Sequence, residues 1–454
     1  MLRSPMLPAE LTSLETHALD LLRTRKKHWS LPQAFYTEEA FHELDLRHMF
    51  GRQWIFVSLS CEVPNPGDWI TVEVGRDSII ILRDNDRQIR AFHNSCRHRG
   101  SRICLEHQGK AKRLVCPYHQ WTYDLTGELI RTRYMEGDFD RSEFGLKRVH
   151  CENLAGYIFL CLADDPPPFD RFRRDLEPFI ARQDIENAKI AYTQVLHEKA
   201  NWKLVMENNR ECYHCSANHP ELLRTLAEFD DPTDPRVDPK YVDLMQRKNA
   251  EWAAEGIPHG PTDPNIRYRA VRLPFIDGHQ SMTLDGKLAC KRLMSDFTDY
   301  DLGSVRMLSL PNNWNHLLSD HMMAFRVMPI SARETIVTTK WLVHKDAVEG
   351  VDYDVDNLTA VWKATNEQDK ELAEWNQLGI ESSRYEPGPY SGVIEMGVRD
   401  LIQWYTDELE ASLCHDLGLP PPVVGTAPTE RAVYAPPPGR SAGAGSRAAV
   451  APAE

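Results

Sequence analysis

A run of short strands carrying two loops of metal-donor residues limits what this chain can fold into more than any other feature. From Trp54 the segments WIFVSLS, WITVEV, SIIILRD and RQIRAFHN follow one another, separated by Pro-Asn-Pro-Gly and Asp-Asn-Asp turns. That is the pattern of strands joined by tight reversals. RLVC, WTYDL and AGYIFLCL continue it, so residues 54–163 read as a small all-β domain. Two of its loops are CRHRG (96–100) and CPYHQW (116–121): Cys-x-His, seventeen residues, then Cys-x-x-His. Two thiolates and two neutral imidazoles suit tetrahedral zinc, or a [2Fe–2S] cluster in which two histidines replace two cysteines on one iron. The alternation favours the cluster, because each loop can give a thiolate to one iron and an imidazole to the other. Cys104, eight residues beyond Cys96, reads as a buried bystander.

The rest of the chain is mixed. Leucines at spacings of three and four predict a helix over 8–29, and a second short helix is expected from a cap near Thr37 to Gly51. DDPPPFD (164–170) is a Pro-rich joint, beyond which strand-like stretches alternate with helical ones. A helix is predicted through KLVMENNRECYHCSAN, a polar region over 229–270, strands in LGSVRMLSLPNNW, MMAFRVMPI and ETIVTTKWLVH, and helices over 353–378 and 394–413. Without regular strand–helix alternation or a GxGxxG motif the class is α+β, not doubly wound. The divisions expected are a helical segment (1–53) packing on the larger mixed domain, the β domain (54–163), that mixed domain itself (171–419) and a disordered Pro/Ala-rich tail (420–454).

Composition narrows the function. A net charge of −14 argues against a nucleic-acid partner. No run of eighteen apolar residues and no signal-type apolar core are present, so neither membrane insertion nor export is expected. Ten cysteines in such a chain predict metal ligation or burial in a reduced, cytoplasmic protein.

NNRECYHCSANH (208–219) holds a second set of donors. His214 and His219 lie five apart, hence about 140° around a regular helix. They can face one ion only where that helix ends or widens, and Pro220 suits an end. Cys212 and Cys215 could be read as a redox or zinc CxxC, but within a predicted helix they more simply line one face.

The two loops and NNRECYHCSANH together resemble the oxygenase component of the Rieske-type non-haem iron oxygenases. The second motif matches the family's Asn-x-x-(Asp/Glu)-x-Tyr-His-x₄-His through Asn208, Glu211, Tyr213, His214 and His219. The resemblance implies a Rieske [2Fe–2S] cluster on Cys96, His98, Cys116 and His119, and mononuclear Fe(II) on His214, His219 and an acidic residue of a C-terminal helix. Asp369 is the matching position in VWKATNEQDKELAEWNQLGI, with Glu367 and Glu371 as neighbours. The implied fold is an all-β Rieske domain plus a helix-grip-type catalytic domain, an antiparallel sheet with flanking helices. Glu211 stands where many relatives have Asp, and is implied to bond both His214 and His119 of the partner subunit in a homotrimer.

FHNSCRHRGSR, KANWKLVMENNRECYHC and EPGPYSGVIEMGV are nearest to members acting on quaternary ammonium compounds. The expected reaction is oxidative N-demethylation with O₂, glycine betaine giving dimethylglycine and formaldehyde, with proline betaine as the alternative. No flavin or nicotinamide motif is visible, so electrons are expected from a separate NADH-dependent flavin/iron–sulfur reductase. A trimethylammonium group has no hydrogen-bond donor and is held by aromatic faces. Trp202, Tyr213, Trp314, Tyr385 and Tyr390 are candidates for that contact, and Asn313 or His316 for a carboxylate.

Overall fold

The computed structural model describes residues 8–422 except 230, 232 and 233; the expected disordered tail from 423 onward lies outside the described residues. Helices α1 (Pro8–Thr24), α2 (Ala34–Thr37) and α3 (Glu39–Leu44) open the chain, and α3 runs into a π-helical turn at Asp45–Phe50. The helix expected from Thr37 is split, because Glu38 is extended (φ −97°, ψ 127°). Thr37 does not cap: its hydroxyl donates back to Gln33 O at 3.0 Å, inside α2.

Strands β1 (Ile55–Leu59), β2 (Asp68–Val74), β3 (Asp77–Arg83), β4 (Ile89–His93) and β5 (Gln108–Lys110) follow. Next come β6 (Leu114–Val115), β7 (Thr122–Tyr123), β8 (Leu129–Arg131), β9 (Arg148–Leu154) and β10 (Tyr157–Cys161). They form a seven-stranded antiparallel sheet, β1-β10-β9-β4-β3-β2-β5, and a small sheet, β6-β7-β8. The strands with clear apolar runs were legible; β5 and β8 are three residues each, too short for a pattern.

Beyond α4 (Asp170–Ile180) come β11 (Ala188–Glu198), α5 (Trp202–Asn209), α6 (Cys215–Asn218) and α7 (Pro239–Ala254). Then follow β12 (Tyr268–Leu273), β13 (Ser304–Ser309), β14 (Asn313–Leu317), β15 (Met322–Ser331), β16 (Glu334–His344), α8 (Val355–Ile380) and α9 (Met396–Asp416). These strands form one antiparallel sheet, β11-β16-β15-β14-β13-β12. α8 packs against α5 and β11, and α5 packs against β15 and α9, giving the α+β, helix-grip-type arrangement. LGSVRMLSLPNNW is two strands turning at 310–312, where the sequence pattern suggested one.

α7 sits in the region read as merely polar. Its start signal was present: Asp238 caps by accepting from Lys240 N at 2.9 Å, and Pro239 occupies the first turn. Tyr241, Leu244, Met245 and Trp252 recur at helical spacing, but its charged outer face dilutes the pattern. No helix among the described residues is long and apolar enough to cross a membrane.

One buried carboxylate ties the opening segment to the helix that leads into the donor motif. Asp45 accepts from Trp202 Nε1 at 2.8 Å, Tyr405 OH at 2.7 Å and Lys203 Nζ, joining the π-helical turn, α5 and α9. Lys203 is buried with it, and burial lowers its pKa against the pull of Asp45. Removing one member of a buried pair leaves the other charge unpaired. Asp45→Ala is predicted to lower unfolding stability by about 3–5 kcal/mol in denaturant titration, and added Lys203→Met to recover much of it.

Candidate metal centres

The two loops of the β domain close in the same way. Cys96 N donates to Ser101 O and Gly100 N returns to Cys96 O, both at 2.9 Å. Cys116 N donates to Trp121 O at 2.9 Å, and Gln120 N to Cys116 O at 3.0 Å. The fifth residue of each loop has positive φ, +79° at Gly100 and +61° at Gln120, the reversal that glycine takes at least cost. Both thiols are buried, while His98 is exposed and His119 half-buried. The two imidazoles turn Nδ1 to Nδ1 at 3.1 Å. His98 stacks on Trp121 with ring centroids 4.8 Å apart, and Tyr118 covers His119 at 3.8 Å. Cys96 Sγ meets Tyr123 OH at 3.3 Å, and that hydroxyl accepts from Arg97 N at 3.0 Å. Cys104 is buried, and burial pushes its thiol up to about 12, as suits an inert bystander.

The second donor set depends on where α5 stops. The single helix expected through Asn218 ends at Asn209, and the chain turns through 210–214 before α6 begins at Cys215. His214 stands at the start of α6 and His219 at its end, where φ −119° and ψ 63° leave the helical region. This break lets both rings face Asp369 on α8. Its Oδ1 lies 3.4 Å from His214 Nε2 and 2.9 Å from His219 Nε2. His219 Nε2 and Asp369 Oδ1 are nevertheless buried without a hydrogen-bond partner, so the short approach lacks hydrogen-bond geometry. Donor atoms that crowd together without bonding one another suit a cation between them. Burial opposes protonation of His214, but the adjacent Asp369 and Glu211 carboxylates outweigh it and hold the pKa up at about 9.

The outer nitrogens are oriented as well. Glu211 Oε1 lies 2.6 Å from His214 Nδ1. His219 Nδ1 lies 2.8 Å from Gln368 Oε1, and Gln368 Nε2 donates to Glu221 Oε2 at 2.9 Å. Sequence reasoning missed Gln368 and Glu221. The available signal was that Gln368 adjoins Asp369 on the same helix. Such partners fix the ring tautomer and direction. Glu367 faces Gln194 at 3.3 Å instead of the histidines.

A cavity of about 520 Å³ opens beside these donors, lined among others by Arg210, Trp314, His316, Trp362 and Asp369. His316 packs on Trp362 at 4.7 Å, and Trp314 stacks on Phe325 at 4.9 Å. The other aromatic candidates lie elsewhere. Trp202 is core bound to Asp45, Tyr385 bonds Ser30 Oγ at 3.0 Å, Tyr390 donates to Glu207 Oε2 at 2.7 Å, and Tyr213 is 65% exposed. Asn313 is buried and donates to Phe325 O at 3.0 Å within the sheet.

The family models match both halves. Residues 53–148 match the Rieske [2Fe-2S] domain, and residues 185–411 match the ring hydroxylating alpha subunit catalytic domain. The chain is 50% identical over 391 residues to the glycine betaine monooxygenase oxygenase subunit of Pseudomonas aeruginosa, covering 86% of this chain and 91% of that one. It belongs to the Rieske non-haem iron oxygenases. A second such oxygenase subunit, from Chromohalobacter salexigens, is 46% identical over 414 residues, covering 91% and 93% of the two chains. Among solved structures, the quaternary ammonium Rieske monooxygenase CntA has a TM-score of 0.65 at 22% identity, covering 86% of this chain and 98% of that one. Naphthalene 1,2-dioxygenase gives 0.62 at 21% identity, covering 86% and 95%. The oxygenase accordingly uses a Rieske [2Fe–2S] cluster and a mononuclear non-haem iron.

Two cysteines of the oxygenase depart from the sequence reading. Cys212 and Cys215, expected as free thiols on a helix face, are joined as a disulfide with Cα atoms 5.0 Å apart. The end of α5 puts Cys212 in the turn before His214 and Cys215 at the first position of α6, so the two do not share a helix face. A second group of possible donors, Glu15, His48 and Asp416, is held by Arg47 at 2.9 and 3.0 Å and by Arg52 at 2.9 Å, so it is an ion-pair cluster.

Glu198, at the end of β11, shares a small void with Asp369. Burial, then the charges of Asp369 and Glu374, push its pKa from 4.5 up to about 8. A carboxyl raised on folding contributes stability that is complete below the unfolded value and lost as pH rises through the folded one. The contribution of Glu198 to the stability of the iron-free protein is therefore predicted to fall between pH 4.5 and about 8 by up to a few kcal/mol. Glu198→Gln should flatten that decline in denaturant unfolding measured across this range.

Proposed function

We propose that this chain is the oxygenase component that N-demethylates a quaternary ammonium compound, with glycine betaine as substrate. The observation that carries the reading is the cluster of His214, His219 and Asp369 opening onto a cavity walled by Trp314 and Trp362. The identity to the betaine monooxygenase subunits supports the choice of substrate. Cys96 and Cys116 would hold one iron of the cluster, His98 and His119 the other, and His214, His219 and Asp369 the mononuclear iron. When bound, these groups supply electron relay and oxygen activation.

The residues of this chain do the rest. Aromatic faces hold the trimethylammonium cation at roughly 0.5–2 kcal/mol per contact, with no donor required of it. Glu211 and Gln368 keep the imidazoles in the tautomer that leaves Nε2 free for a metal. Oxygen insertion into one N-methyl C–H bond, with a pair of electrons and two protons reducing the second oxygen atom to water, gives a carbinolamine. Its C–N bond then breaks, the electron pair stays on nitrogen, the hydroxyl loses its proton, and formaldehyde and dimethylglycine result. The chain bears no flavin or nicotinamide motif, so the electron donor is a separate NADH-dependent flavin/iron–sulfur reductase. The further parts of the proposal are a homotrimer in the cytoplasm, with Glu211 bridging to His119 of the partner subunit, and domains spanning 54–163 and 171–419.

Chemically reduced protein given glycine betaine and air is predicted to release formaldehyde close to the content of active sites in one turnover. No formaldehyde from protein with its cluster colour and iron intact would remove glycine betaine, leaving proline betaine as next substrate. His214→Ala should abolish turnover and retain the Rieske absorption. Glu211→Gln should slow electron transfer between centres in single-turnover kinetics.

A further inference from the structure

Arg210 has no established task, and its setting asks for an anion. It caps the C-terminal end of α5, directly before Glu211. Its side chain lines the cavity beside His214 and Asp369, yet Nε and Nη1 are buried with no hydrogen-bond partner. Two other enclosed arginines, Arg83 and Arg272, are satisfied. Arg83 donates to Val63 O at 2.6 Å and Glu186 Oε2 at 2.8 Å, and Arg272 to Pro258 O at 2.9 Å and Leu302 O at 2.8 Å. A buried guanidinium without such partners is costly unless a ligand completes it. Burial, then repulsion from Arg269, lowers its pKa to about 10 against attraction by Asp400, so it stays charged at neutral pH.

Its position is also preset. Gly397, at the start of α9, approaches so closely that a Cβ there would lie 2.3 Å from Arg210 O. The α9 backbone therefore fixes the backbone from which the Arg210 side chain departs before any ligand arrives. The same cavity is lined by Trp314 and Trp362, whose aromatic rings suit an onium group. A wall of aromatic rings and a guanidinium with two unbonded nitrogens in one cavity match the two ends of a zwitterion.

We propose that Arg210 binds the carboxylate of a betaine-type substrate and so determines selection of carboxylated quaternary amines over uncharged-tail analogues. This rests on the proposed demethylation of such amines, and makes Arg210 a specificity residue that leaves the reacting methyl group to the metal centre.

The test is calorimetric titration of the assembled holoenzyme with glycine betaine and with tetramethylammonium, which lacks the carboxylate. Wild type is expected to prefer glycine betaine by tenfold or more. Arg210→Gln should weaken glycine betaine binding by roughly thirtyfold or more and tetramethylammonium far less, collapsing the preference, and Arg210→Lys should restore part of it. In wild type alone, acetate should compete with glycine betaine at concentrations that leave tetramethylammonium binding unmoved; this readout stands even if the variants do not fold. A wild type without the preference, an unchanged preference in a folded Arg210→Gln, or failure of acetate to compete would overturn the assignment. The two readings separate cleanly. Carboxylate-dependent binding without formaldehyde contradicts demethylation alone, whereas formaldehyde release with a preference unmoved by Arg210→Gln contradicts the role of Arg210 alone.

Discussion

The stop in the backbone between Asn209 and Cys215 is the constraint on which the catalytic half depends. Two histidines five residues apart cannot share a target on a continuous helix. Ending α5 and restarting as the single turn of α6 places His214 and His219 at the two ends of that turn, both facing Asp369. The stop must be held in place. From one side Asp45 fixes Trp202 and Lys203 at the start of α5, and from the other Gly397 lets α9 press against the backbone of Arg210. The carboxylate arrives on α8, whose next residue inward, Gln368, aligns His219 in the same stroke.

The β domain solves a related problem with two copies of one loop. Each begins with a cysteine whose N–H and C=O are both closed within the loop, and each reverses through a residue of positive φ. The consequence is a division by depth, with thiols inside the β core and imidazoles toward solvent. A cluster held this way presents its histidine side outward, where an electron acceptor in another subunit could meet it. Glu211 beside His214 is the matching feature of the catalytic half in the proposed trimer.

Much of this was legible because the informative residues carry chemistry that little else needs. The Cys-x-His and Cys-x-x-His loops and the pair His214 and His219 are local in sequence, so spacing brings them into view as donor sets, while the metals and the role of Glu211 came from the resemblance. Asp369 was reached only by resemblance, since a charged residue on a long amphipathic helix carries no signal of its own; the contact with two histidines comes from tertiary packing. Gln368, Glu221, Glu198 and Arg210 escaped for the same reason. The aromatic candidates show the limit from the other side. Trp202, Tyr385 and Tyr390 have the right chemistry, but their polar atoms are spent in core hydrogen bonds, and Trp362, not singled out, lines the cavity. α7 was hidden because exposed charges interrupt the apolar stripe it buries.

Two donor sets are proposed to divide the labour, four residues for the cluster and three for the single iron. The most direct test is to measure iron and acid-labile sulfide in purified wild type and in Asp369→Ala. The account predicts that the variant keeps its sulfide and the matching cluster iron and loses only the mononuclear iron. A variant that loses sulfide in parallel, or that retains all of its iron, would contradict the assignment of Asp369 and with it the separation of the two centres.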